Sequence, residues 1–320
     1  MQNPTYPPGP PTFGDAAAGH LANEQSTLPP PPIDPDNPSW GVFTALGVWF
    51  LSIILMFLVP VIFFIPYLIA VGLKSFDPLS KTAILLQVVA LFPTHLLTFV
   101  LVWLVVTNFR KQSFAKAIGW GWARGFRLWS CIGLGILLFI VGSILAKLLG
   151  GEKPTPLEEI IRSSLAARYM ISFLAVCTAP FVEEFVYRGV LYAALRRDGG
   201  RFLSWLMNLA FGVKLDPDFK ERMGMWAAVV LVLALFTIIH VPQYWPNFGV
   251  IAAVALLSVV LTVIRAYSGK LLPCIVIHIV FNGIQAIILI LEPHLRTMIP
   301  SAEPTAPTAS LLLPLIGFFN

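Results

Sequence analysis

The chain has little charge and few cysteines. Asp, Glu, Lys and Arg together make up 12% of its 320 residues, whereas hydrophobic residues make up 57%. Soluble domains carry about 25% charged residues, roughly twice this share. The composition therefore excludes an ordinary soluble globular protein and predicts a chain that crosses a membrane several times.

The three cysteines, Cys131, Cys177 and Cys274, lie in apolar stretches and have no CxxC spacing. A disulfide framework or a zinc knuckle is therefore not expected, and we interpret the cysteines as small packing residues. GxSxG and HExxH motifs are absent, and no GxGD-like aspartate pair lies in an apolar stretch. These absences argue against a serine nucleophile elbow, the common zinc-protease helix and an aspartate dyad.

The first 39 residues contain no Lys or Arg and are rich in proline. They lack the basic start of a cleaved signal peptide, and we interpret residues 1–39 as a disordered tail.

Seven later stretches are apolar over the length that a membrane span needs. They are residues 41–72, 82–107, 128–149, 169–195, 226–241, 248–263 and 271–291.

Two further apolar segments, residues 202–213 and 311–319, are too short to cross and are expected to lie at the interface or to re-enter the membrane. The sequence thus predicts an all-α transmembrane bundle of seven or eight spans. Thirteen basic residues fall on the side of the N-terminus and of the loops after spans 2, 4 and 6, against six on the other side. This bias predicts a cytoplasmic N-terminus and explains the net charge of +5 without nucleic-acid binding. The Pro-rich tail and the lack of eukaryotic targeting signals favour a bacterial chain, and hence a bacterial cytoplasmic membrane.

The fourth span carries three charges, Glu183, Glu184 and Arg188. Each charge in hydrocarbon costs about 2.5–3.5 kcal/mol on insertion scales, so such residues are rare and usually functional. Glu184 and Arg188 are four residues apart and share a helix face, with the glutamate on the favourable N-terminal side. Glu183 is turned about 100° away from Glu184. The spacing predicts a structural pair, Glu184 with Arg188, and a free carboxylate on Glu183.

Two later spans carry a histidine with a companion at helical spacing. Phe236 and His240 are four residues apart in the fifth span, and His278 and Asn282 in the seventh. A lone histidine near a span end is usually a hydrogen-bonded interfacial residue, and His and Asn often bond neighbouring spans. Two of only five histidines in the chain nevertheless fall in such pairs, which favours a shared polar site.

A carboxylate beside a histidine can remove a proton from water and make that water a nucleophile. A second histidine and an amide can donate hydrogen bonds to the oxyanion of a tetrahedral intermediate. We therefore predict Glu183 and His240 as the water-activating pair and His278 and Asn282 as oxyanion donors, with no cofactor. A catalytic zinc held by Glu183, His240 and His278 stays open as an alternative.

Three motifs follow one another on successive spans: Glu183-Glu184-x-x-x-Arg188, Phe236-x-x-x-His240 and His278-x-x-x-Asn282. Together they resemble the motifs of the CAAX-protease and bacteriocin-processing family, which includes type II CAAX prenyl endopeptidases, lysostaphin-resistance-like proteins and bacteriocin self-immunity proteins. The resemblance covers roughly residues 168–291. It implies a helical membrane bundle and intramembrane cleavage of a membrane-associated peptide or protein, prenylated in the CAAX case.

In that family the first glutamate and the middle histidine are taken to activate water, and the last histidine and the asparagine to form the oxyanion hole. These roles agree with those predicted for Glu183, His240, His278 and Asn282, and leave Glu184, Arg188 and Phe236 as structural support. The expected domains are the tail 1–39, N-terminal transmembrane helices 40–150, a peptidase domain 151–295 and a C-terminal tail 296–320.

Other functions are compatible with the same motifs. One is a non-catalytic self-immunity or membrane scaffold protein, and another is a metal-dependent protease. A transporter or proton relay would need an inverted repeat, for which the sequence gives no convincing sign. The insertion 198–224, between the first and second motifs, is expected to be a substrate-gating or membrane-lying element or a long loop.

Overall fold

Backbone polar groups find no water in hydrocarbon, so long apolar runs fold as helices with internal hydrogen bonds. The computed structural model describes residues 33–150 and 155–298, which contain eleven α-helices, one π-helical segment (Phe185–Leu191) and no strand. The helices are α1 Val42–Val71, α2 Lys81–Val106, α3 Phe114–Ala117, α4 Leu128–Leu148, α5 Pro156–Ser163, α6 Leu165–Cys177, α7 Ala179–Glu184, α8 Tyr192–Phe211, α9 Pro217–Tyr244, α10 Phe248–Ser268 and α11 Leu272–Met298.

Seven helical stretches of the described residues are long and apolar enough to cross a membrane. They are α1, α2, α4, the run from α6 to the end of α8, α9, α10 and most of α11. The prediction of an all-α, seven-span bundle is confirmed, and the chain is a multi-pass membrane protein. Residues 1–32 of the predicted tail 1–39 and the apolar segment 311–319 lie outside the described residues. For residues 33–39 the prediction of a disordered tail is wrong, because Asp36 binds Arg196 and Arg265 of the bundle.

Several predicted span ends are wrong, because helices continue past the apolar residues that reveal them. The prediction begins the fifth span at residue 226 and ends the sixth at residue 263, whereas α9 begins at Pro217 and α10 ends at Ser268. The apolar segment 202–213 is mostly the last part of α8. The insertion 198–224 is therefore a hairpin of two helices rather than a long loop.

This hairpin is closely packed. Only residues 212–216 join α8 to α9, and the carboxylate of Asp216 caps α9 by accepting from the backbone N–H of Asp218. Gly224 brings the two helices together, since a Cβ at this position would overlap the carbonyl oxygen of Arg196. Small residues commonly permit such close helix contacts. The insertion thus extends the fourth and fifth spans as one packed unit.

The rest of the bundle encloses the π-helical segment. α4 packs against α10 and α11. Gly249 of α10 permits the close contact with α4, because a Cβ on Gly249 would overlap the backbone of Ala146 in α4. α11 packs against α6, and α2 packs against both α1 and α6. The π-helical segment contacts α1, α2 and α9, and all seven of its residues are buried.

The residues just before α1 bind the bundle through charge. The carboxylate of Asp36 accepts from Nη1 of Arg196 at 2.6 Å and from Nη1 of Arg265 at 2.8 Å. The indole N–H of Trp40 donates to the carbonyl oxygen of Val190 at 3.1 Å. The side chain of Arg265 has no exposed surface. This short segment therefore joins α8, α10 and the π-helical segment at one end of the bundle.

We expect Asp36→Asn to destabilise the protein, because it leaves the buried guanidinium of Arg265 without a carboxylate. Removing one partner of a buried ion pair costs about 3–5 kcal/mol, and the 23% exposure of Asp36 favours the lower end of that range. The measurement is the melting temperature of the purified protein in detergent. Asp34→Asn, at an exposed position nearby, is the control. Equal melting temperatures for the two variants would contradict the role given to Asp36.

Candidate active site

The fourth span departs from a regular α-helix on both sides of its two glutamates. Thr178 ends α6 with φ −126° and ψ −47°, and Pro180 lies in the first turn of α7, where a missing N–H costs no helical hydrogen bond. Directly after Glu184 the chain becomes π-helical, a rare geometry that occurs frequently at functional sites. Glu183 and Glu184 therefore sit on a short helical segment with an irregularity at each end.

Glu184 and Arg188 form a buried ion pair. Nη1 of Arg188 lies 3.0 Å from Oε1 of Glu184, and neither side chain has exposed surface. The guanidinium also donates to the hydroxyl of Thr262 at 3.2 Å and to the carbonyl and hydroxyl oxygens of Ser258 at 3.0 Å each. Its Cζ lies 4.7 Å from the centre of the Phe236 ring. The structure brings the two residues of the predicted pair into contact, and this pair joins the fourth span to α9 and α10.

His278 lies between the two adjacent carboxylates. Its Nδ1 donates to Oε1 of Glu184 at 2.9 Å, and its Nε2 lies 3.8 Å from Oε2 of Glu183. A carboxylate that is paired with Arg188 can only accept, so Nδ1 carries a hydrogen. His278 thus connects α11 to α7 and presents its second nitrogen to Glu183.

Glu183 is the accessible carboxylate of the pair. Its side chain is 25% exposed, and no arginine or lysine forms an ion pair with it in the part of the chain that the structure describes. His240, Tyr187 and Tyr244 lie within electrostatic reach of this carboxylate. The sequence-predicted separation of a paired and an unpaired glutamate therefore holds in the fold.

The ring of His240 is held in one orientation. Its Nδ1 lies 2.7 Å from the carbonyl oxygen of Phe236. A carbonyl oxygen only accepts, so Nδ1 donates and the lone pair of the neutral ring lies on Nε2. The imidazole stacks on the Phe236 ring, with 4.5 Å between centroids, and lies parallel to the ring of Tyr244. Phe236 also contacts the ring of His278 edge-on at 6.4 Å, so one phenylalanine supports both histidines.

Asn282 shares a face of α11 with His278, because both side chains contact the fourth span. Nδ2 of Asn282 donates to the carbonyl oxygen of Ala175 in α6 at 2.9 Å. This bond uses one of the two amide hydrogens and leaves the other for a ligand. The sequence does not predict the Ala175 contact, since it joins two residues that are far apart in the chain.

The zinc alternative involves Glu183, His240 and His278. Among the described residues, no group of three or more His, Cys, Asp and Glu side chains could hold a metal ion. In His240 and His278 the Nδ1 atom is already bound to protein oxygens, so each ring has only Nε2 available. Metal-bound histidines commonly donate their other ring N–H in this way, so these two rings and Glu183 are the ligands that the zinc alternative would use.

His95 on α2 is a site neighbour that the sequence patterns miss. Its Nδ1 lies 2.8 Å from the hydroxyl oxygen of Thr178, and the charge of Glu183 acts on its ring. The sequence patterns miss His95 because its hydrogen-bond partner, Thr178, lies in another span rather than one helical turn away in α2. Ser258 and Thr262 are missed as well, although two hydroxyls four residues apart in one span could have indicated a polar contact.

An apolar groove adjoins this site between α2 and the segment formed by α6, α7 and the start of the π-helical segment. Its volume is about 700 Å³. His95 and Thr178 lie in its wall, which is otherwise dominated by apolar side chains such as Phe92, Leu96, Phe99, Phe181, Val182 and Phe185. The groove therefore meets the polar site at the break between α6 and α7.

We expect Glu184→Gln to destabilise the protein far more than Glu183→Gln. The first variant leaves Arg188 as a buried cation without its carboxylate, at a cost of about 3–5 kcal/mol. The second alters a side chain that is 25% exposed and has no cationic partner among the described residues. Melting temperatures of both variants, and their yield from membranes, measure the difference. Equal stability of the two variants would contradict the division between a structural and a free glutamate.

Comparison with known proteins agrees with the motifs. The model of a family described as type II CAAX prenyl endopeptidase Rce1-like matches residues 165–284. No match was found among curated proteins or among solved structures. The matched region begins with α6 and ends within α11, and it contains both glutamates, Arg188, the paired histidines and Asn282. Residues 165–284, a little over a third of the chain, are thus similar to the Rce1-like type II CAAX prenyl endopeptidases.

Proposed function

We propose that the protein is an intramembrane endopeptidase, in which Glu183 and His240 activate the water that cleaves a peptide bond. The observation that carries this proposal is the contrast between two adjacent glutamates. Glu184 is buried and bound to Arg188, whereas Glu183 is partly exposed and lies beside His278. An intramembrane carboxylate without a cationic partner is suited to accept and return a proton.

In the first step, a water molecule binds between the carboxylate of Glu183 and Nε2 of His240. Glu183 removes one proton, while Nε2 of His240 accepts a hydrogen bond from the other O–H. The water oxygen forms a bond to the carbonyl carbon, and the π electrons of the carbonyl move to its oxygen. The bond from Nδ1 of His240 to Phe236 keeps the lone pair on the nitrogen that the water needs.

In the tetrahedral intermediate, the oxyanion accepts hydrogen bonds from His278 and Asn282. The Nδ1 hydrogen of His278 is bound to Glu184, so Nε2 can donate only in the imidazolium form. The ring takes this additional proton from solvent when the substrate binds and returns it to solvent when the products leave. The positive charge of that form is balanced by Glu184 on one side and by the oxyanion on the other. Asn282 contributes its second amide hydrogen, since the first is bound to Ala175. Removing a single oxyanion donor typically lowers kcat by about 10²–10³-fold.

In the last step, the intermediate collapses and the carbon–nitrogen bond breaks. The protonated Glu183 gives its proton to the leaving nitrogen, which departs as an amine, while the other product is a carboxylic acid. Glu183 is thereby a carboxylate again, and no covalent bond to the enzyme forms at any stage. A single group thus acts as base and then as acid.

We propose a membrane-associated substrate, with a prenylated CAAX-type peptide as the first candidate. The apolar groove of about 700 Å³ beside the site suits a hydrocarbon chain, because phenylalanine side chains form much of its wall. The family description of residues 165–284 supports the same substrate class. In a bacterial cytoplasmic membrane, another lipid-attached or membrane-bound peptide would take this place.

Glu183→Gln is expected to abolish peptide cleavage while the protein stays folded. The amide cannot accept a proton from water, so kcat should fall by at least about 10³-fold, within the range of general-base and nucleophile-activation effects. The assay uses purified protein in detergent with a fluorogenic prenylated peptide. Glu159→Gln, at an exposed position on α5, is the matched control and should keep full activity.

The outcome of the same assay separates the alternatives. Full cleavage by Glu183→Gln would contradict the mechanism. A wild type without cleavage, whose biological effect survives Glu183→Gln, would indicate a self-immunity or scaffold protein. Activity should also persist after exhaustive chelation, and a loss that zinc restores would favour the metal-dependent version.

We also propose that the N-terminus lies in the cytoplasm, as the distribution of basic residues indicates. Asp77→Cys, between α1 and α2, should react with a membrane-impermeant maleimide in intact cells. Lys111→Cys, between α2 and α4, should react only after permeabilisation, because the two loops lie on opposite sides of the membrane. Labelling in the reverse pattern would contradict the proposed orientation.

A further inference from the structure

His95 lies outside the family-matched region yet reaches the same site. It is on α2, and α2 packs against α6, α7 and the π-helical segment. Its side chain is half-buried in the wall of the apolar groove. Neither the three motifs nor the region 165–284 assigns any role to this residue.

The bond between His95 and Thr178 joins α2 to the end of α6. Nδ1 of His95 lies 2.8 Å from the hydroxyl oxygen of Thr178. The same hydroxyl lies 3.2 Å from the carbonyl oxygen of Leu174, and when it donates there its oxygen accepts from Nδ1 of His95.

Thr178 stands where the fourth span changes direction. It ends α6, and α7 begins with the next residue. Thr178 departs from helical backbone angles, with φ −126° and ψ −47°, so the two helices do not form one continuous helix here. The contact with His95 fixes the junction to α2. Glu183 follows five residues later on the short α7, so a movement at Thr178 displaces its carboxylate.

Electrostatics place His95 close to the reacting group. The charge of Glu183 acts on His95 as well as on His240, and Nε2 of His278 lies 3.8 Å from Glu183. Three helices, α2, α9 and α11, therefore each bring one imidazole to the surroundings of a single carboxylate. Among the described residues, Glu183 is the charged group that acts on His95.

We propose that His95 is a positioning residue of the peptidase. By holding Thr178 it fixes the junction of α6 and α7 and thereby directs the carboxylate of Glu183 toward the water and the peptide bond. This inference rests on the proposed function. A misplacement of a catalytic group by 1 Å can lower a rate by about 10²-fold, so a single hydrogen bond at the junction is sufficient for a measurable effect.

The test compares four variants of the full chain by kcat and KM for a prenylated peptide, per amount of folded protein. His95→Leu and Thr178→Val each remove the bond and should lower kcat by about 30–100-fold, with KM changed by less than about threefold. His95→Asn should recover kcat to within about fivefold of wild type, because its amide nitrogen can take the place of Nδ1. Thr94→Val is the matched control, since the hydroxyl of Thr94 donates only to Ala90 in its own helix.

A combined His95→Leu, Thr178→Val variant should be no slower than either single variant, because both remove the same bond. Unchanged kcat in His95→Leu beside an active wild type would overturn the positioning role and leave the proposed function intact. A purely structural role would lower the melting temperature without lowering kcat, and would also overturn it. An inactive wild type would overturn the proposed function and this inference together.

Discussion

The buried ion pair between Glu184 and Arg188 is the constraint on which the rest of the structure depends. Two charges in the middle of an apolar bundle need hydrogen bonds to offset their desolvation, and here Oε2 of Glu184 is the atom of the pair that has no hydrogen-bond partner among the described residues. Arg188 therefore requires Ser258 and Thr262 on α10, and Glu184 requires His278 on α11. These polar contacts determine how the fourth span packs against α10 and α11. In a membrane, contacts between apolar side chains alone do little to select which helices associate, because the lipid is equally apolar.

The same pair determines what the neighbouring glutamate can do. Because Arg188 and His278 both bind Glu184, they leave Glu183 without a fixed cation although it is the next residue in the chain. Phe236 completes the separation, since its ring lies under the guanidinium and against both histidine rings. A structural charge and a chemically available charge can thus stand side by side in one helix.

Local spacing explains which parts of this site could be predicted from the sequence. Glu184 with Arg188, and His278 with Asn282, lie one helical turn apart, and their geometry follows from that distance alone. The span ends could not be placed well, because α8 and α9 continue into polar sequence where hydropathy no longer indicates a helix. The π-helical segment and the bond from His95 depend on packing between distant residues, which no short pattern contains.

Residues that precede the matched region 165–284 also contact the fourth span, so the matched region does not contain the whole site. The indole of Trp49 on α1 donates to the hydroxyl of Tyr187 at 3.0 Å, and the indole of Trp40 donates to the carbonyl oxygen of Val190. With His95 at Thr178, three residues of the N-terminal part therefore hold the stretch that carries the glutamates. In the proposed mechanism the motifs supply the reacting groups, while Trp40, Trp49 and His95 bind the irregular helix that orients them. A division of the chain at residue 150 separates the motifs from part of their support.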